Sequence, residues 1–270
     1  MKVVFKKAFR DCRRTMLWLA VGLALYALMI MAFYPAMVEQ SEKFDELLES
    51  YPEELLVMFY DGDVAELSVS DPGTYVGMEF GMWSMLIVGA IVIAQVFNGL
   101  TNAERDGSLD LILCLPISRR QMLLGRLANT ALFLLGVLAA CLLAFLLAMV
   151  IWPEFDPDLV NLGLAIMGGF VPLAVVASFA YMLAALVPAN KRFAGALAYL
   201  FLIGSYLVHS FSGLVDQLAW VRSLMLYNYY DTGTIIRNGV SWGDWLILAA
   251  VTLFYLGVAW WAIDRKDMGV

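Results

Sequence analysis

Apolar residues dominate the chain in six long runs free of Asp, Glu, Lys and Arg: 15–38, 80–103, 127–153, 159–190, 193–215 and 246–263. A helix needs about 20 mainly apolar residues to cross a hydrocarbon core of about 30 Å. Each run reaches that length or nearly so. The pattern predicts six transmembrane helices, over 16–38, 75–99, 122–151, 160–187, 194–212 and 245–263. A soluble core able to bury all six runs would require a far larger protein. The first run is too long, and too poor in small residues at its end, for a removed signal peptide; it is expected to stay as the first span.

Ahead of that run the period changes. Over residues 2–16, Lys2, Lys6, Lys7, Arg10, Arg13 and Arg14 cover one face of a helix, and Phe5, Ala8, Phe9, Cys12 and Met16 the other. Such a split predicts an interfacial helix over 1–15, its apolar face in acyl chains and its basic face toward anionic headgroups.

Composition agrees: 62% of the 270 residues are hydrophobic and mean hydropathy is +0.79, well above a soluble domain. The distribution of basic residues sets the expected orientation. Lys2, Lys6, Lys7, Arg10, Arg13, Arg14, Arg105, Arg119, Arg120, Arg126, Lys191, Arg192, Arg265 and Lys266 fall on one side of the six spans, and only Lys43, Arg222 and Arg237 on the other. The positive-inside bias then makes both termini cytoplasmic, which an even number of spans permits. The net charge of -7 reflects acids gathered on the opposite side, in 39–79 and around Glu154, Asp156 and Asp158. It does not argue against a basic membrane-facing rim. Cys12, Cys114 and Cys141 lie on the cytoplasmic side or inside spans and imply no disulfide framework.

Outside the spans, Ser50-Tyr51-Pro52-Glu53 matches a capping box, with Leu55, Leu56 and Phe59 following as a short apolar face. One or two short helices along the outer membrane surface are expected there. The acidic loop has no calcium-type ligand spacing. The aromatic stretch between spans 5 and 6, with Gly turns, reads as an outer lid or interfacial helix.

The most informative segment is the charged island TNAERDGSLDLILCLPISRRQMLLGR, 101–126. Asn98-Gly99 predicts the end of span 2. Thr101-Asn102-Ala103-Glu104 predicts a new helix start, and Pro116 limits that helix to about Leu115. Ser118-Arg119-Arg120-Gln121, with Ile117 and Met122 as a hydrophobic staple, opens span 3. The rod so drawn carries Leu109, Ile112 and Leu113 on one face. The other cytoplasmic segments are short and offer them no partner, so docking to another protein is expected, with rest on the inner leaflet as the alternative.

Glu104 to Gln121 resembles the segment between helices 2 and 3 of type-2 ATP-binding-cassette (ABC) exporter permeases. There an acidic residue, a Gly, a Leu-rich helix and Leu-Pro-(Ile/Val)-(Ser/Thr) with Arg recur. The basic amphipathic start, the six spans, and Tyr229-Tyr230-Asp231 with Gly239 are similar as well. The resemblance implies an all-α, integral-membrane domain over 1–270, with a coupling helix in segment 100–117 seated in a cleft of a separate ATPase subunit. By matching position, Glu104, Asp106, Gly107, Leu109, Asp110, Leu113, Pro116, Ser118 and Arg119 are the coupling candidates. It further implies a second permease copy or paralogue, and a path lined by helices 2 and 5. Glu79, Gln95, Asn98 and His209 are the candidate path residues, with helix-to-helix hydrogen bonding the alternative for the first three.

The chain has no Gly-x-x-x-x-Gly-Lys-Ser/Thr loop, so ATP and Mg²⁺ are expected on the partner. With one His and scattered Cys no metal cluster is expected, nor a catalytic set or nucleic-acid partner. Gly168-Gly169 and Pro172 predict close packing or a kink in span 4. A non-transport scaffold or an integral membrane enzyme is the competing class.

Overall fold

The computed structural model describes residues 2–41, 43, 68, 70–105, 119–187, 191–211 and 219–265. Among these the regular structure is helical, without strands. The elements are α1 (Lys2–Glu39), α2 (Pro72–Val76), a π-helical stretch (Gly77–Gly81), α3 (Met82–Arg105), α4 (Arg119–Ile151), α5 (Leu159–Gly168), α6 (Phe170–Leu186), α7 (Lys191–Phe211), α8 (Ala219–Arg222), a 3-10 turn (Leu226–Tyr229), α9 (Thr232–Asn238) and α10 (Trp242–Arg265). Six units are long and apolar enough to cross a membrane: Val4–Glu39, Pro72–Asn98, Arg120–Ile151, Leu159–Leu186, Arg192–Phe211 and Trp242–Ile263. This is a multi-pass membrane protein.

Two expected boundaries are corrected. The interfacial helix and the first span are one 38-residue helix, since nothing between Lys2 and Thr15 breaks helical bonding. Its apolar side does not simply face acyl chains: Val4 and Cys12 are buried, Cys12 Sγ pairs with the Asn129 side chain of α4 at 3.4 Å, and Met16 packs on Gly136. Likewise Asn98-Gly99 does not stop span 2, nor does Thr101 start a new helix, because α3 continues to Arg105. A mid-helix Gly costs only about 1 kcal/mol relative to Ala, and no proline lies between Gly99 and Arg105 to end the ladder.

Span 4 meets its expectation. Gly169 forms a turn between α5 and α6, and its N–H bonds back to Ile166. Pro172 falls in the first turn of α6, where its missing N–H leaves no gap. The space at these glycines is used: a methyl on Gly168 would lie 2.5 Å from the Trp245 indole, and one on Gly169 3.3 Å from the Tyr230 hydroxyl. Asp158 caps α5 by accepting from Asn161 N at 2.8 Å.

Contacts fix how the spans run. Cys12–Asn129 and Met16–Gly136 make α1 and α4 parallel. Ala90–Tyr199, Trp83–Tyr206 and Phe97–Gly195 make α3 and α7 antiparallel. Ala185 packs with Ala259 and Ala262, which brings the ends of α6 and α10 together. The start of α1, the end of α3, the start of α4 and the end of α10 thus share one end of the bundle, called here the basic end.

Burial ranks the spans. Half of the most apolar window is buried in Pro72–Asn98 and in Leu159–Leu186, against 22% in Val4–Glu39 and 17% in Trp242–Ile263. Spans 2 and 4 are therefore central. Leu17, Trp18, Val21, Leu25, Met29 and Phe33 form an exposed apolar stripe along α1, suited to lipid rather than water. Away from the basic end, the core is a chain of rings: Tyr34–Phe155, Phe155–Phe145, Phe145–Phe80 and Phe80–Tyr26, with centroids 5.0–6.2 Å apart.

Candidate functional site

At the basic end, Glu104 falls in the last turn of α3 and Arg119 opens α4. The other coupling candidates, Asp106, Gly107, Leu109, Asp110, Leu113, Pro116 and Ser118, lie outside the described residues, as do the expected outer-surface helices after Ser50. One residue into α4, the Arg120 guanidinium stands 5.2 Å from the Trp260 ring of α10, a cation–π contact of about 0.5–1 kcal/mol. The chain leaving the island is thereby tied to the last span. Lys6, Lys7, Arg10, Arg13 and Arg14 are exposed at this end, following Lys2 at the start of α1. Beneath them adjacent residues of α4 join two neighbours: Asn129 to Cys12, and Thr130 to Tyr181 of α6 at 2.9 Å.

The four path candidates do not converge. The α3/α7 register puts Glu79 and His209 toward the far end and Gln95 and Asn98 toward the basic end. Sixteen helical steps from Glu79 to Gln95 amount to about 24 Å. Glu79 is exposed within the π-helical stretch, and its carbonyl accepts the Tyr26 hydroxyl at 2.6 Å. Asn98 is exposed. The amide atoms of Gln95 are buried and have no hydrogen-bond partner among the described residues. The His209 ring lies 6.0 Å from Tyr227.

The far end holds an assembly that sequence reading missed. Asp71 caps α2 by accepting from Thr74 N at 2.6 Å, and Asp231 caps α9 by accepting from Thr234 N. Arg237, in the last turn of α9, approaches Asp71 at 3.9 Å and donates to Thr74 Oγ1 at 3.2 Å. Gly73, Gly77 and Gly81 recur every fourth residue and face Thr232-Gly233. A methyl would meet Gly233 O at 2.8 Å from Gly73, Gly233 Cα at 2.9 Å from Gly77, and Thr232 Oγ1 at 2.6 Å from Gly81. The legible signal was Gly-x-x-x-Gly-x-x-x-Gly, which lets two helices approach closely.

Tyrosines then bind this assembly to the bundle. Tyr34 donates to Ser70 O at 2.6 Å and Tyr75 to Ile30 O at 2.8 Å. Tyr230 donates to Ala165 O, the carbonyl that Gly169 N–H leaves by turning to Ile166. Burial pushes the Tyr227 and Tyr230 phenols well above their ordinary range, so both remain protonated at physiological pH. The same cause lowers Arg237.

Beside Gly81 and Thr232 a largely apolar cavity also touches Leu138, Gly169 and Tyr230. The volume open to water centres is ≈ 20 Å³, about enough for one water and too little for an organic solute. Near His209, by contrast, the buried hydroxyls of Ser205, Ser210 and Tyr227 have no hydrogen-bond partner among the described residues. Each such group left dry costs about 1–3 kcal/mol. Among the described residues no three His, Cys, Asp or Glu side chains converge as a metal site.

No curated protein matches the chain. A family model described as "Protein of unknown function (DUF2705)" matches residues 44–269, which include the π-helical stretch, the island and spans 2 to 6. By that match, the chain belongs to the DUF2705 family.

Proposed function

We propose that this chain is the membrane-spanning permease subunit of an ABC-type exporter in the cell (inner) membrane, driven by ATP hydrolysed on a separate subunit. The observation that carries the reading is the island itself. Its pattern Glu-Arg-Asp-Gly-Ser-Leu-Asp-Leu-Ile-Leu-Cys-Leu-Pro-Ile-Ser-Arg-Arg-Gln joins two spans at the end of the bundle where the basic residues gather. With the basic end in the cytoplasm, segment 100–117 faces a soluble motor, and both termini lie on the same side. The chain lacks a phosphate-cradling loop of its own. A partner ATPase supplies it, and a second permease copy or paralogue completes the path.

Mechanically, the reading gives each part a role. Closure of two ATPases on ATP presses on the islands, and α3 and α4, which emerge from each island, carry the displacement into the bundle. Arg120 on Trp260 passes it on to α10, while the basic face of α1 holds the bundle against anionic lipid.

The test is affinity purification of the full chain from its own membranes in mild detergent. A Walker-motif ATPase is expected to co-purify, and the combined Gly107→Pro and Leu113→Asp variant is expected to lose it while eluting as a folded, monodisperse species. Gly204→Ala, at a site with no neighbour within 4 Å of an added methyl, is expected to retain it. Parent protein that purifies alone, or a double variant that keeps its ATPase, overturns the reading.

A further inference from the structure

Ahead of Leu17, helix α1 has the surface of a soluble helix. Val4 and Cys12 are buried, and Phe5, Ala8, Phe9 and Met16 are half-buried. Part of that apolar side is taken up by α4, Cys12 meeting Asn129 and Met16 meeting Gly136. Every exposed side chain from 6 to 15 is polar; Lys6, Lys7, Arg10, Arg13 and Arg14 are cationic and Asp11 is the single acid. Exposed apolar surface begins only at Leu17, 59% exposed, and Trp18, 76% exposed.

Leu17 therefore marks the inner edge of the hydrocarbon along α1. Counted from it at 1.5 Å per residue, Arg13 and Arg14 stand about 5–6 Å out, Arg10 about 10 Å and Lys6 about 16–17 Å. The headgroup layer on one side is only about 5–8 Å deep. A tilt of about 40°, the top of the usual range, still leaves Lys6 about 13 Å out and Arg10 about 8 Å. Lipid phosphate thus suits Arg13 and Arg14, whereas Lys6 and Arg10, four residues apart on one face, reach past it into water. Neither makes an ion pair among the described residues.

The tip also stands beside the island. Ten residues ahead of the Cys12–Asn129 contact, α1 is at Lys2 and α4 at Arg119, so the first turn of α1 is level with the point where the chain leaves the island. We propose that Lys6 and Arg10 form a second docking surface for the soluble ATPase seated on the island, and meet carboxylates of that subunit. Charge selects the occupant: a cationic patch beyond the headgroups and next to the island fits an acidic protein face and repels a basic one. The proposal rests on the exporter reading and adds a contact which that reading does not require.

The test is photo-crosslinking in the protein's own membranes, followed by affinity purification of the full chain. Lys6→benzoylphenylalanine is expected to give an adduct with the Walker-motif ATPase, and Arg14→benzoylphenylalanine an adduct with lipid. In the combined Lys6→Glu and Arg10→Glu variant, ATPase recovery is expected to fall about fivefold, with the variant still eluting as a monodisperse species. Added salt is expected to weaken the parent's hold on the ATPase more than the variant's. Parent protein that brings down no ATPase sinks the exporter reading and this contact with it. An ATPase that co-purifies with the parent while position 6 crosslinks lipid alone, or one that the double variant retains in full, overturns the contact and leaves that reading standing.

Discussion

Arg237 Nε lies 3.9 Å from Asp71 Oδ2 while its Nη1 donates to Thr74 Oγ1 at 3.2 Å, so one side chain joins both the cap and the first turn of α2 to the end of α9. Its side chain is 17% exposed and that of Asp71 31%, so water screens the pair in part. Arg237→Met is expected to cost about 1 kcal/mol, and Arg237→Lys less, because it keeps the charge and loses the fork. Thermal unfolding in detergent reads both; a melting temperature unchanged by Arg237→Met refutes the assignment.

Glycine contacts make a sharper contrast. Gly77→Ala drives a methyl into Gly233 backbone, with Cα at 2.9 Å and N at 3.0 Å, and no side chain there can step aside. A loss of about 1–3 kcal/mol is expected. Gly257→Ala, with nothing within 4 Å of the new methyl, should be neutral or gain up to about 1 kcal/mol from helix propensity. Equal melting shifts for the two would show that the π-helical stretch and α9 do not meet as described.

Tyr230 occupies the carbonyl released by the turn at Gly169. Tyr230→Phe keeps the ring and strands the buried Ala165 oxygen, at an expected cost of about 1–3 kcal/mol. Hydrogen exchange should rise at the α5/α6 junction before it rises in α10. Unaltered exchange at 165–173 would contradict the role given to the hydroxyl.

Membrane orientation can be read chemically. In a Cys114→Ser background, Asp156→Cys is expected to react with an impermeant maleimide on intact cells, and Lys7→Cys only after permeabilisation. Both positions are exposed, while Cys12 and Cys141 are buried. The reverse labelling pattern would invert the molecule and take the island away from the cytoplasm.

The spans were legible because lipid demands the same thing of every one of them: about 20 apolar residues and no open backbone groups. Gly168-Gly169 with Pro172 likewise announced close packing or a kink in span 4, since both residue types act locally, and the structure has a turn at Gly169. Boundaries were harder. Asn98-Gly99 carries a helix-stop signal, yet α3 runs on to Arg105, because such signals are worth no more than about 1 kcal/mol. The Asp71–Arg237 and Tyr230–Ala165 pairings were not legible at all: each joins residues far apart in the chain, which no local pattern encodes. The Gly73, Gly77, Gly81 series was visible in the letters but not what it faces. The path candidates illustrate the same limit. Polarity singled out Glu79, Gln95, Asn98 and His209 one by one, and only the α3/α7 register separates them into two levels.

The unbroken length of α1 has a consequence for how the protein handles force. A 38-residue helix measures about 57 Å, close to twice the hydrocarbon thickness. It is gripped near one tip by Asn129 and toward the other by Ser70 and Tyr75. A rod held at both ends cannot pivot at one without dragging the other, so whatever tugs on the lysine-rich tip is carried along the helix toward the tyrosines across the bilayer. Pro35, beside Tyr34, is the interior residue that cannot donate a helical hydrogen bond and so marks where the rod can bend.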